Sequence, residues 1–365
     1  MPRIVLLFVV VLFAPVLAGA PGGAAMAKEY LLTSIKPNTL VLVDAAERRV
    51  ARSYDLPGPG PVLGIVSSPD GHIAYAVTNH WGSLSGIDLD TGKEVFHADF
   101  SAGNLRVRNT FGLEISRDGS EIYVLVLPVV IGRGEYQVQD PHIAVYRTDA
   151  GLQAQPVRIL PVPRRTALLL RSDDGSRLYC VSWNIHAIDP GDGHELEVKK
   201  LIHWDRPGFA EPDVFGVWSQ FEQAGVYINP YFVARTDIDP NDPSANRTGM
   251  VTLDLATGAL RMTEFENTTK VIFSATVNPV RRDEAYAVYT TLSKIDLVAS
   301  RLVKRIDLPH TYYTVNVSGD GREVYVGGTM NDIGVYASDT LERIGEIQLP
   351  GGADQAITWV RIVHR

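Results

Sequence analysis

Apolar and polar residues alternate along this chain in short runs, and no segment sustains an apolar period of 3.6. Ile73, Tyr75 and Val77 share one face of a run. In the next, Leu84, Gly86 and Asp88 alternate with Ile87 and Leu89. That is the pattern of half-buried strands. Polar turns punctuate the runs. The clearest copy passes from Ser68-Pro69-Asp70-Gly71 into the Tyr75 strand, then through a second strand to Asp90-Thr91-Gly92. Asp-Gly supplies a residue that tolerates positive φ and a carboxylate that caps its own turn. Asp70, Asp118, Asp174 and Asp320 are therefore expected to be structural.

The unit recurs six times. A repeat of roughly 40–50 residues built of four strands is the mark of a β-propeller blade. Blade one is expected at 64–67, 73–78, 83–89 and 94–99. Blade two has strands at 122–127, 142–147 and near 157–160, and blade three at 178–182, 185–188 and 196–201. Blade four is degenerate, with strands at 215–218, 226–228, 249–255 and 259–264. Blade five runs through 273–277, 285–289, 292–297 and 303–308, and blade six through 313–317, 324–327, 333–337 and 345–349. One strand at 356–363 and three at 30–33, 40–44 and 50–55 are left over. Together they complete a seventh blade. The expected fold is all-β, a seven-bladed β-propeller whose last blade joins the C-terminal strand to three N-terminal strands. Closure of this kind removes free sheet edges. Residues 28–365 form one domain on this reading, since a blade buries its faces only against its neighbours.

The first 27 residues read differently. Met1-Pro2-Arg3 gives a positive start, and 4–17 is an apolar run broken by Pro15. Ala25-Met26-Ala27 ends it as a small-residue cleavage site, with Ala18-Gly19-Ala20 as the alternative. This is the layout of a secretory signal peptide. The run is shorter than the ~18 residues of a spanning helix, so an exported chain with no membrane span after cleavage is expected. The net charge of −8, with no basic run, argues against nucleic acid as a partner. Cys180 is the only cysteine, which excludes an internal disulfide and a Cys-x-x-Cys-His haem attachment. Its setting, Leu178-Tyr179-Cys180-Val181, points to a buried, inert thiol.

Strand order places the short A–B and C–D turns on one face of a propeller and the B–C and D–A loops on the other. The irregular sequence falls on the second, loop face: 104–109, 128–141, 203–213, 229–248, 268–270 and 309–312. Long loops on a rigid scaffold carry function. Aromatic residues gather there, including Trp81, Trp183, Trp204, Phe209, Tyr231, Phe232, Tyr312 and Tyr313. His310 is the best candidate for a polar group at the axis. Asp237-Ile238-Asp239-Pro240-Asn241-Asp242 is rich in oxygen ligands but lacks the glycine and distal glutamate of an EF-hand, leaving calcium or a plain Asx turn open. No catalytic motif stands out, and no His/Arg/Glu cluster at the axis is visible in the sequence.

The segment Ile73-Ala74-Tyr75-Ala76-Val77-Thr78-Asn79 resembles the Tyr-Val-Thr-Asn repeat of exported bacterial and archaeal propellers. Segments outside the repeat are more specific. They are Leu40-Val41-Leu42-Val43-Asp44, Glu211-Pro212-Asp213-Val214-Phe215-Gly216-Val217-Trp218 and Ala234-Arg235-Thr236-Asp237-Ile238-Asp239-Pro240. Arg247-Thr248-Gly249 and the stretch Leu308-Pro309-His310-Thr311-Tyr312-Tyr313 through Ser318 complete the set. In these the chain resembles the β subunit of quinohemoprotein amine dehydrogenase. The resemblance implies a periplasmic heterotrimer that oxidises primary amines to aldehydes. In it a γ subunit carries cysteine tryptophylquinone, a diheme cytochrome c α subunit carries heme c, and a small redox protein accepts the electrons. The β chain holds no redox cofactor and walls the quinone pocket, and no catalytic role transfers to its residues. Contact with the partners or the pocket is expected at Trp204, Asp213, Tyr231, His310, Tyr312 and Tyr313. The alternative is a stand-alone exported propeller, either a lactonase-like hydrolase or a surface interaction module.

Overall fold

The computed structural model describes residues 27–214, 216, 218, 220–355 and 358–365. The expected signal peptide lies almost wholly outside them. Among them are seven antiparallel sheets, two short 3₁₀ turns and no α-helix. The sheets form a ring. The chain is a seven-bladed β-propeller.

Closure is a hydrogen-bonded seam between the ends of the chain. Strand Glu29–Ile35 pairs with Thr39–Asp44 on one side and with Arg361–His364 on the other. Leu32 faces Arg361, and Leu31 faces Ile362. Beyond the ladder, Lys28 and Arg365 exchange both backbone hydrogen bonds, at 2.8 and 3.0 Å. Leu31 also packs into the interface with blade six, against Tyr325, Ile333 and Ile347.

The blade turns are built by one device. In blade two the Ser116 hydroxyl donates to Asp118 at 2.6 Å, and Asp118 accepts the backbone N–H of Ser120. Ser116 Oγ then accepts the N–H of Glu121, which opens the next strand. The same set recurs at Ser68/Asp70, Ser172/Asp174 and Ser318/Asp320. These hydrogen bonds, led by the serine hydroxyl, hold the Asp118 and Asp174 carboxyls down to about 2. The four aspartates are structural, as expected.

Three expected loops are largely strand instead. Residues 128–141 continue the strand Glu121–Ile131, which folds back onto Tyr136–Val138 and also pairs with Leu105–Arg108. Segment 104–109 is thus largely an added strand, and blade two holds six. Segment 229–248 is mostly a long hairpin, Val226–Ala234 against Asn246–Asp254, in continuous register from Val226↔Asp254 to Ala234↔Asn246. Alternation within 121–131 and 226–234 carries the hydrogen bonding past the core, so the turns come later than short-strand spacing implies. In blade four the inner strand is described at Asp213–Val214, and Phe215 and Val217 of the expected 215–218 strand lie outside the described residues. The closing strand begins at Arg361 rather than 356, with 356 and 357 likewise outside.

Cys180 is fully buried between blades two and three, among Tyr123, Leu125 and Leu169. Burial pushes its thiol up to about 12, which makes it inert.

The seam yields a prediction. Leu31→Ala opens a cavity where the ring closes, and should cost about 2–5 kcal/mol in urea unfolding. A cost below about 1 kcal/mol would mean that the seam does not carry stability.

Candidate functional site

The axis of the ring has two different ends. At the loop face, rings from four blades meet. Trp218 lies before the blade-four turn, and Phe273 opens the inner strand of blade five. Tyr289 ends the second strand of blade five, and Tyr313 precedes the inner strand of blade six. They stack nearly parallel. Phe273 lies 3.9 Å from Tyr289 and 5.1 Å from Tyr313, and Tyr313 lies 5.4 Å from Trp218, all within 20° of parallel. Phe111 of blade two meets Trp218 at 6.3 Å. Offset stacking at such separations is favourable beyond area burial. It forms a packed aromatic platform near the axial mouth, with Trp218 buried and Phe273, Tyr289 and Tyr313 half-buried. Below it, Trp359 packs in the same cluster.

The six residues expected at a contact surface fall into three groups. Trp204 and Tyr231 belong to a folded corner. The loop carrying Trp204 lies against the blade-four hairpin, with its indole N–H donating to the Ala210 carbonyl at 2.8 Å. The Trp204 ring meets Tyr231 edge-on at 5.8 Å and Phe209 at 6.2 Å. Arg206 crosses over Phe209 at 3.8 Å and forks onto Glu264, which also accepts the Tyr231 hydroxyl at 2.5 Å. Tyr231 needs space that only glycine leaves. A Cβ on Gly249, its cross-strand partner, would sit 2.3 Å from the ring. Trp204 is half-buried, Tyr231 fully buried and Asp213 exposed.

His310 and Tyr312 form the second group. Tyr312 is fully buried in the interface between blades five and six, and its hydroxyl donates to Asp332 Oδ2 at 2.6 Å. His310 Nε2 lies 2.9 Å from Asp332 Oδ1, Nδ1 lies 2.8 Å from the Thr311 carbonyl, and the ring stacks on Tyr312 at 4.1 Å. Both side chains therefore sit at a blade junction. Tyr313, half-buried, forms the third group by itself and is the one residue of the six in the axial platform.

The oxygen-rich segment 237–242 spends its ligands locally. Asp237 forks onto Arg235, Asp239 caps Asn241, and Asp242 caps Ser244. One group among the described residues has metal-ligand spacing, Asp189, Asp192 and His194 on an exposed turn. There Asp189 and Asp192 already accept the backbone N–H groups of Gly191 and His194.

At the turn face the axis holds what the sequence reading did not find. Glu114, Arg171, Glu222 and Arg361 line a cavity of about 310 Å³ together with Ser67, Arg117 and His364. Arg361 is fixed as a plug. Its guanidinium bonds Glu222 at 2.9 Å and the Ile65 carbonyl at 3.1 Å, and stacks over Trp359 at 4.2 Å. Glu222 is further held by Asn316 at 2.7 Å. An Arg/Glu cluster at the axis thus exists, where none was expected. Its members come from four different blades, so no local motif contains them. The legible signal was a charge inside an apolar inner strand: Leu113-Glu114-Ile115, Leu169-Leu170-Arg171 and Val360-Arg361-Ile362.

No family model matches the chain, and no curated protein matches it. Solved structures do. The Kuenenia stuttgartiensis hydrazine synthase superposes with a TM-score of 0.57 at 14% identity, over 90% of this chain and 100% of that one. A functionally unknown protein from Desulfotomaculum acetoxidans DSM 771 gives 0.58 at 11%, over 93% and 99%. The dihydro-heme d1 dehydrogenase NirN, in complex with DHE, gives 0.52 at 14%, over 93% and 77%. At these identities the likeness shows the propeller fold alone.

The Trp204 corner predicts a pH dependence. Burial raises the Glu264 carboxyl, but the Arg206 and Tyr231 hydrogen bonds outweigh it and leave the group below its usual value. A depressed carboxylate adds stability above its unfolded pKa of about 4.3, and loses it as pH falls through the folded value. Glu264→Gln should therefore be less stable than the parent at pH 7 by urea unfolding, with the gap narrowing below about pH 4. A gap that stays constant with pH would contradict the ion pair's role.

Proposed function

We propose that this chain is the non-redox propeller subunit of a periplasmic amine-oxidising quinohaemoprotein complex, exported by its N-terminal segment. Its loop face walls the quinone pocket of a small partner subunit and supports a diheme partner. The observation that carries this reading is the stacked Trp218–Phe273–Tyr289–Tyr313 platform at the axial mouth. It is aromatic and tightly stacked, which suits a wall that excludes water from a neighbouring reactive group.

Three further features support it. Large apolar side chains stand exposed around the loop face, including Tyr136 and Val138 of the added hairpin, Trp183 and Met330. Aromatic residues and methionine are enriched in the cores of partner surfaces. Cys180, buried and inert, is the chain's one cysteine and offers no attachment for a haem or a thioether crosslink, so such groups belong to partner chains on this reading. Two propellers of similar fold are enzymes, a hydrazine synthase and a heme d1 dehydrogenase. The resemblance in the Glu211–Trp218 and Leu308–Ser318 stretches supplies the specific activity.

The contact residues divide by their exposure. Trp204, Asp213, His310 and Tyr313 retain surface for a partner, whereas Tyr231 and Tyr312 are buried and act through what they hold, Glu264 with Arg206 and Asp332 with His310. Purification of the tagged chain from its native periplasm tests the reading. The chain should carry haem absorbance and primary-amine oxidation with it. Tyr313→Ala and Trp204→Ala should each cut the assembled fraction by about tenfold or more, as loss of a buried aromatic anchor does. Unchanged assembly and amine turnover in both variants would overturn it.

A further inference from the structure

The cavity at the turn face lies at the opposite end of the axis from the proposed docking surface, and that reading makes no use of it. Its charges are incompletely matched. Arg361 and Glu222 satisfy one another. The Glu114 carboxylate and the Arg171 guanidinium form no ion pair within 4 Å, although Glu114 feels the Arg171 charge and its backbone N–H. Glu114 is 4% exposed, and its Oε1 accepts the N–H of the adjacent Ile115 at 2.9 Å. Arg171 has a buried Nε with no hydrogen-bond partner. Burial raises the Glu114 carboxyl, and the Arg171 charge, the Ile115 N–H, the Arg361 charge and the Arg171 N–H pull it back only in part.

A buried charge without a partner is costly, and chains keep such groups mainly where something else completes them. The volume, about 310 Å³, is at the small end for ligand pockets. The wall carries acceptors of one kind and donors of the other. A simple anion would meet Arg171 but be repelled by Glu114, and a simple cation would meet the reverse. A molecule with both charges matches both.

We propose that this cavity binds a small zwitterion of the amino-acid class, its ammonium on Glu114 and its carboxylate on Arg171, with the exposed Arg117 at the entrance. The Arg361–Glu222 pair forms the floor and closes the way to the aromatic platform. Binding here is therefore independent of the loop face. Charge-assisted hydrogen bonds at both ends give the site its selectivity.

Isothermal titration of the full chain, in the assembly in which it is purified, tests this. The probes are glycine and 4-aminobutyrate, with butyrate and butylamine as the single-charge analogues. At least one zwitterion should bind, about tenfold or more tighter than either analogue. Glu114→Gln and Arg171→Met should each weaken it by about 10–100-fold, the effect of removing a charged hydrogen-bond partner. Arg322→Gln, on an exposed blade-six turn, controls for surface charge and should change nothing. Absence of binding by both zwitterions at millimolar concentration would overturn the proposal. So would butyrate binding as tightly as 4-aminobutyrate, or zwitterion binding that survives both cavity substitutions.

Discussion

The pairing of Glu29–Ile35 with Arg361–His364 is the interaction on which the rest of the structure depends. A ring of sheets whose last blade came from one stretch of chain could open between its first and last blades. Here the last blade is shared, so opening the ring means breaking a ladder as well as an interface. The same seam sets the axis. It brings Trp359 under the aromatic platform and Arg361 across the channel, so closure and the division of the axis into two ends are one event.

The two ends follow from how a propeller is threaded. Inner strands run from the loop face to the turn face, so residues at or before the start of an inner strand gather towards one mouth and those further along gather towards the other. Aromatics occupy the first set, Phe111, Phe273 and Tyr313 among them. Charges lie further along, within the strands themselves, at Glu114, Arg171 and Arg361. Apolar, rigid surface suits a partner, and matched charge around a small volume suits a solute. One fold thus presents two chemically distinct surfaces at its two faces.

The fold was largely legible because each blade repeats a local chemistry. The serine–aspartate turns at Asp70, Asp118, Asp174 and Asp320 are made of neighbours in sequence, and the strand edges follow from them. Segments 128–141 and 229–248 read as loops because strand pairing can continue beyond the core without a change in alternation. The site was less legible, for the opposite reason. Glu114, Arg171, Glu222 and Arg361 become neighbours only when the ring closes. Tyr312 and Tyr231 read as surface aromatics because they sit beside irregular segments, yet Asp332 and Glu264 draw their hydroxyls inward.

The central claim is that the loop face, and not the turn face, meets the partners. Amide hydrogen exchange of the chain in its native assembly, compared with the chain separated from its partners, tests it most directly. Protection in the assembly should be confined to 128–141, 203–213 and 309–313, with the serine–aspartate turns unchanged. Protection at those turns instead, or a chain that emerges from the periplasm without any partner, would contradict it.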